Sequence, residues 1–392
     1  MEKARTVDLA FAELPGHEMF ELLEELRGDG PLARATFAGA PCFLTTTHGL
    51  LLEGFIDAAK FPPARLYQNS IARVIGPNFQ SMEGARHTLY RRLATPAFRS
   101  RAVERYEREG MAELAHELLE RLDGRGEADL ASAFTHRFPF LVLCRLVGIP
   151  RDREDEFHQW AAEMVTPPNV PLEVCRRAAA EFTRYLAPTL AERRREPRSD
   201  VISELIAAEV EGRHLTDEEI SSHVKLMFSA GATTTCDGIG NLLHALLSHS
   251  GAWEQVVDDP SVRATAVHES LRWQTPVPNL PRISAEETVE FGGREIPPKS
   301  FVLFSMASAN RDPAVYDDPH RFDPARSSRD ILSFGRGERS CPGMHLAKKE
   351  LSIALDVLID RFPKLRLQGD PQASAPTGAI IRGPKTLPVA LQ

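Results

Sequence analysis

Apolar positions recur at helical spacing through most of this chain. The stretch RAVERYEREGMAELAHELLERLDG (101–124) is amphipathic and ends at a glycine stop. Thr216 and Glu219 form a capping box at the head of a second run, in which Ile220, Val224, Met227 and Phe228 share one helix face. A third run shows the same periodicity at Leu351, Leu355, Leu358 and Phe362. Period-two segments are short: TVEFGGREI, SFVLFSM and TLPVAL. The chain's 29 prolines cluster in TPPNVP, QTPVPNLP and IPPK, and no repeat or low-complexity linker divides it. The pattern predicts a mainly α protein with small antiparallel β-sheets, an α+β chain forming one domain over residues 1–392.

Composition narrows the function. A net charge of −8 argues against bulk nucleic-acid binding. No run of about 18 apolar residues occurs, so no membrane anchor is expected. The start lacks a signal peptide's apolar core, and a cytoplasmic location is expected. The five cysteines are scattered and odd in number, without CxxC spacing, so zinc and iron–sulfur ligation have no support. Cys42, Cys144, Cys175 and Cys236 read as small buried hydrophobes in a reducing compartment.

Cys341 differs because of its neighbours, SFGRGERSCPG (333–343). Gly335, Gly337 and Gly343 permit close backbone approach. Pro342 suits the first turn of a following helix, which puts Cys341 near a helix N-terminus that favours a thiolate. Arg336 and Arg339 add positive charge, and Phe334 adds a flat apolar face. A thiolate serves as nucleophile or metal ligand. His345 is the nearest base, but no Cys-His protease signature surrounds it. A metal needing one protein ligand fits better, as haem iron does.

FGRGERSCPG resembles the haem-binding loop of the cytochromes P450, and the resemblance extends from HTLYRR to the terminal RGPKTLPV. It is to the soluble bacterial class. It implies haem b with Cys341 as axial thiolate, the haem lying between a long central helix and the cysteine loop. Phe334, Gly335 and Gly343 belong to that loop. Glu269 and Arg272 of ESLR match the buried ExxR pair, whose third member is expected at Arg321 or an adjacent residue of ANRDPAVYDDPHRFDPAR. His87 and Arg91 of HTLYRR, with Arg282 and Arg339, match the propionate-binding set: four cations for two carboxylates.

In SAGATTT, Ala230 and Gly231 leave room for O2, and Thr234 resembles the family's oxygen-activating threonine. Thr233 stands where the family usually has an acid that relays protons. Asp237, one turn beyond Thr234, is a candidate substitute. The resemblance points to a substrate pocket drawing on the 68–84 loop, helices around 160–190, Leu226, Ser229, the 276–280 turn with Pro278 and Asn279, and Ala379 to Ile381 with Ile380 among them; Asn78 and Gln80 are further polar anchors.

The implied activity is a monooxygenase acting on a medium-sized, mostly apolar small molecule of terpenoid, steroid, fatty-acid or polyketide type. Electrons would come from a separate ferredoxin or flavodoxin with its NAD(P)H reductase. A basic patch of Arg91, Arg92, Arg99, Arg101, Arg336, Lys348 and Lys349 would steer that donor. Two alternatives use the same scaffold: oxidative coupling or peroxide-driven oxidation, and a non-catalytic haem-thiolate binding protein.

Overall fold

The computed structural model describes residues 6–165 and 171–391. Most of the proline cluster TPPNVP, and part of the expected 160–190 pocket wall, therefore lies outside the described residues. Helix α1 (Glu18–Arg27) buries Leu22, Leu23 and Leu26. Strands β1 (Leu32–Phe37) and β2 (Ala40–Thr45) form a hairpin. Its turn residues Ala38 and Gly39 both have positive φ, which matches the right-handed twist of the strands. After α2 (His48–Ile56) and α3 (Gly84–Ala94), the 101–124 run forms two helices, α4 (Ser100–Tyr106) and α5 (Ala112–Glu120), rather than one. Gly110 breaks it at φ 97°, with its carbonyl accepting from the Arg145 guanidinium.

Helices α6 (Phe138–Val147), α7 (Glu154–Val165) and α8 (Leu172–Arg195) then pack around a long central helix. That helix begins as α9 (Asp217–Leu226), capped by Thr216 and Glu219 as expected. It widens into a π turn over Met227–Ala232 and continues as α10 (Thr233–Ser248). Phe140, Phe157 and Phe182 lie around Phe228, with ring centroids 4.8–5.6 Å from it. They bind α6, α7 and α8 to the central helix. Helix α11 (Arg263–Trp273) and helix α12 (Met344–Arg361) close the other side. Ile239, Leu242, Leu243 and Leu246 are fully buried there, each contributing ~1.5–3 kcal/mol of hydrophobic stabilisation.

The largest sheet has the order β1-β2-β4-β3, with β3 at Asn279–Ile283 and β4 at Phe301–Ser305. It is mainly antiparallel, but β2 and β4 run parallel, pairing Phe43 with Val302. TVEFGGREI forms the hairpin Val289–Phe291 and Arg294–Ile296, and TLPVAL supplies the strand Pro388–Ala390. No helix among the described residues is long and apolar enough to cross a membrane.

Candidate active site

A cavity of about 300 Å³ lies between the central helix and the 333–343 loop. Gly335 and Gly337 turn the loop at φ 67° and 73°. The Cys341 amide donates to the Phe334 carbonyl at 2.8 Å, which fixes the cysteine's place. The Cys341 side chain is accessible, but only from within the cavity it lines; the residue sits deep in the protein. Burial pushes the thiol above its ordinary value, while the backbone N–H groups of Gly343 and Met344 and the Arg91 charge pull it down. Burial outweighs them, so the helix terminus alone does not bring the thiol below its ordinary value. Pro342 lies in the turn before α12 instead of in its first turn, because Gly343 is the N-cap.

Charge gathers at one edge of the cavity. Arg91, Arg282 and Arg339 all line it. Arg91 donates to the Ser340 carbonyl at 2.6 Å, and Arg339 to the carbonyls of Phe79, Gln80 and Met82. Arg282 lies over the rings of Tyr67 and Phe304 and bonds only its neighbour's carbonyl among the described residues. His87 is buried, and neither ring nitrogen makes a hydrogen bond among the described residues. Burial and the Arg339 charge push it down to about 4. Three arginines and a buried histidine thus gather at this edge.

On the opposite wall, Ala230, Gly231 and Thr234 line the cavity. Three successive hydroxyls cover carbonyls of the π turn. Thr233, Thr234 and Thr235 donate to the carbonyls of Ser229, Ala230 and Gly231 at 3.0, 2.7 and 2.8 Å. Thr234 thus spends its proton on the helix and keeps oxygen lone pairs for the cavity. Thr233 lies outside the lining.

Beneath the loop, Glu269 and Arg272 are fully buried and paired through two contacts of 2.7 and 2.8 Å. The third member is Arg326, whose Nε lies 3.1 Å from Glu269. The expected Arg321 is exposed and pairs with Asp323; only its carbonyl joins the cluster, accepting from Arg272. Ser328 completes the carboxylate's shell at 2.6 Å. The reason is reach: the meander turns between Asp318 and Asp323, so the side chain five residues later points inward.

Of the expected substrate contacts, Leu226, Gln80 and part of the 276–280 turn line the cavity. Ser229 is buried on the far side of the helix, donating to the Leu226 carbonyl. Pro278 takes the Ala307 amide on its carbonyl, and Asn279 donates to the Ala379 carbonyl, so both serve the sheet. Ile380 packs in the cluster between α1 and the sheet. Within the expected 276–280 turn it is Pro276, Val277 and Leu280 that face the cavity. Asn78 caps the short helix Phe79–Ser81, while Phe79 and Gln80 line the cavity.

The sequence reading also missed Leu143, Met227, Thr235 and Glu350 in the lining. Glu350 is buried, its Oε2 has no partner among the described residues, and burial drives its carboxyl well above the usual range. A carboxylate at a core position of the Leu351–Leu358 stripe was the available signal.

The proposed basic patch is thinner than the sequence implied. Arg92, Arg336 and Lys349 pair with Glu211, Asp330 and Glu107, and Arg91 turns into the cavity. Lys348 sits over the Phe334 ring, which leaves Arg99 and Arg101 exposed without an ion pair among the described residues.

A central helix loosened over a buried thiol, with arginines at the rim, defines a class that comparison with known proteins identifies. The family model described as Cytochrome P450 matches residues 9–259 and 261–389. The chain is 32% identical over 391 residues to 6-deoxyerythronolide B hydroxylase of Saccharopolyspora erythraea, covering 95% of this chain and 96% of that one. It is 33% identical to mycinamicin IV hydroxylase/epoxidase of Micromonospora griseorubida, covering 79% and 78%. The structure of the bacillaene polyketide synthase cytochrome P450 PksS of Bacillus subtilis superposes with a TM-score of 0.89 at 30% identity, covering 96% and 97%. The chain belongs to the cytochrome P450 family. It is a P450 monooxygenase, and the family carries haem iron on a cysteine thiolate.

The residues present fit that group. The thiol opens into a mostly apolar cavity, Arg91 and Arg282 have no carboxylate partner among the described residues, and His87 makes no hydrogen bond among them, with Glu338 at 3.4 Å from its Nδ1. At Gly343 an added Cβ would stand 3.8 Å from the sulfur, so the backbone there leaves space beside the thiol.

Proposed function

We propose that Cys341 is the axial ligand of haem b in a monooxygenase that puts one atom of O2 into a mostly apolar natural product of polyketide or macrolide type. The observation that carries this reading is the Cys341 thiol opening into an arginine-rimmed apolar cavity. Arg91, Arg282 and Arg339 would hold the propionates with His87 as an N–H donor. When bound, the haem iron supplies oxygen activation, with the thiolate promoting O–O cleavage. The chain's own residues do the rest. Leu143, Leu226, Val277 and Leu280 exclude water and orient the substrate, and Gln80 offers it a polar anchor. Thr234 offers a hydroxyl oxygen at the reacting side.

The names of two relatives, an erythronolide hydroxylase and a mycinamicin hydroxylase/epoxidase, favour that substrate class. An acidic ferredoxin or flavodoxin with its reductase would deliver electrons near Arg99 and Arg101. The whole chain would act as one haem domain. Thr233 in place of the family's acid favours a second reading, peroxide-driven oxidation; turnover with peroxide alone, and none with a surrogate ferredoxin and NADH, would select it. The test of the main reading is spectral. The reduced protein with carbon monoxide should give the red-shifted absorption of thiolate-bound haem, and a macrolide screen should shift the haem spin state. A carbon monoxide complex without the red shift would refute it.

A further inference from the structure

Behind Thr234 the central helix carries a polar face that nothing in the cavity explains. Asp237, Asn241 and His244 stand at i, i+4 and i+7 on α10 and so share one side. The Asp237 carboxyl is pressed against the 382–384 backbone: a Cβ added at Gly383 would lie 2.1 Å from its Oδ1. It makes no hydrogen bond or ion pair to any described residue. Asn241 donates to the carbonyls of Gln274 and Arg382 at 3.1 and 3.0 Å, which joins the helix to the end of α11 and to the 377–383 loop.

Around that junction lie buried polar atoms with no partner among the described residues. They are Asn241 Oδ1, His244 Nδ1, Gln274 Nε2, Thr275 Oγ1 and Arg382 Nε. Donors and acceptors are mixed, and a buried polar group left unsatisfied destabilises the fold. Internal water is the partner that satisfies both kinds at once. The seam therefore reads as a hydrated track. Its inner end meets the cavity at Thr234, Gly238 and Pro276, and its outer end is His244, which contacts the Pro371 carbonyl at 3.0 Å. Pro371 is exposed.

We propose that Asp237 passes protons from this seam to the Thr234 side of the cavity, taking over the task of the acid that Thr233 replaces. The inference rests on the monooxygenase reading above. In that reaction RH, O2, two electrons and two protons give ROH and H2O, so each turnover draws two protons from solvent. Asp237 gives its proton toward Thr234 and regains one from the seam, with no net change in the protein. The rise between Thr234 and Asp237 is about 5 Å along the axis, a gap for one bridging water. Burial alone holds the Asp237 carboxyl up at about 7, near the operating pH that favours a relay.

The titratable groups facing it agree with this. Cys236 on its own helix has its thiol pushed up by burial and by Asp237, and Glu350 on α12 acts on the same thiol. Arg382 turns its guanidinium onto the carbonyls of Leu14, Gly16 and Gly378. No cation among the described residues neutralises the carboxyl.

The test uses the haem-loaded enzyme and its Asp237→Asn variant. With a surrogate ferredoxin system, kcat should fall about tenfold or more at unchanged KM, with a larger solvent isotope effect and loss of the pH-profile limb near 7. Hydrogen peroxide brings its own protons, since RH and H2O2 give ROH and H2O, so the variant should keep most of its peroxide-driven rate. Infrared spectroscopy should show a protonated carboxyl band that titrates near 7 and is missing from the variant.

Stability gives a readout without turnover. The folded carboxyl is held above its unfolded value of 3.8, so its ionisation destabilises the fold as pH rises from about 4 to about 7. Asparagine cannot ionise, so the variant should be the more stable protein at pH 8 and no more stable at pH 4. An unchanged O2-driven rate, an equal loss with peroxide, or loss in Glu350→Gln but not in Asp237→Asn would each overturn the proposal. Failure to bind haem at all in the parent protein would instead overturn the monooxygenase reading.

Discussion

The Glu269 cluster allows a graded prediction. Glu269 and Arg272 have no solvent exposure, and Arg272 spends its remaining donors on the carbonyls of Asn310, Pro319 and Arg321. Glu269→Gln keeps the shape but leaves Arg272 as a buried cation without its anion. Breaking such a pair costs about 3–5 kcal/mol. Arg326 is less buried, at 18% exposed, and its loss leaves the Glu269–Arg272 pair intact with Ser328 still donating. Arg326→Ala should therefore cost about 1.5–3 kcal/mol, the range for a hydrogen bond to a charged group. Arg321→Ala, with its side chain in solvent, should stay within about 0.5 kcal/mol.

Urea unfolding of the three variants, followed by circular dichroism and by haem content, reads this order directly. Glu269→Gln should retain little haem, because Ser333 of the cysteine loop bonds both the Leu271 carbonyl on α11 and Asn310. If Arg321→Ala proved as damaging as Arg326→Ala, the assignment of the third member would be wrong. If Glu269→Gln lost under about 1 kcal/mol, the pair would not carry the desolvation argument at all.

Cys341→Ser should abolish the red-shifted carbon monoxide band and O2-driven turnover; retention of both would exclude the thiolate. Arg91→Ala and Arg282→Ala should each speed haem loss to apomyoglobin about tenfold to a hundredfold, since a charge-assisted bond contributes about 1.5–3 kcal/mol; unchanged loss rates would remove them from the propionate set. Leu280→Phe should narrow substrate choice while Ile380→Phe should not, because only Leu280 faces the cavity, and spin-state titrations with ligands of graded size decide it. Reduction by a ferredoxin should slow steeply between low and high salt, and Arg99→Glu with Arg101→Glu should remove most of that dependence; a salt-insensitive rate would deny the docking face.

What the sequence made legible follows the range of the forces involved. The capping box, the α9 face and the cysteine loop depend on residues within a few positions, and the structure reproduces them. Glu269 and Arg272 share one helical turn and were equally readable, but their third partner lies across a folded meander where one step of register changes which side chain points inward. The substrate wall was legible as the 276–280 turn but not residue by residue, for the same reason: Asn279 and Leu280 are adjacent on β3, and alternation sends one into the sheet and the other into the cavity. The hairpin β1–β2 was missed because its residues LARATF and APCFLT carry too little alternation.

The run TTT shows how a local cost can serve a site. A π turn at Met227–Ala232 widens the helix, and glycine at 231 weakens it by about 1 kcal/mol. Three hydroxyls at 233–235 add bonds to the carbonyls of that turn. An acid at 233 would be acceptor-only when ionised and could not donate to the Ser229 carbonyl, so threonine there closes the turn at the expense of the carboxylate. The carboxylate then has to stand where the helix is regular again, and Asp237 is the first acidic position beyond it on the side that meets the buried seam. Thr233→Asp makes the trade measurable. It should loosen the turn, lower stability by about 1 kcal/mol, and restore part of the O2-driven rate of Asp237→Asn. Full stability with no rescue would separate the two features and break this link.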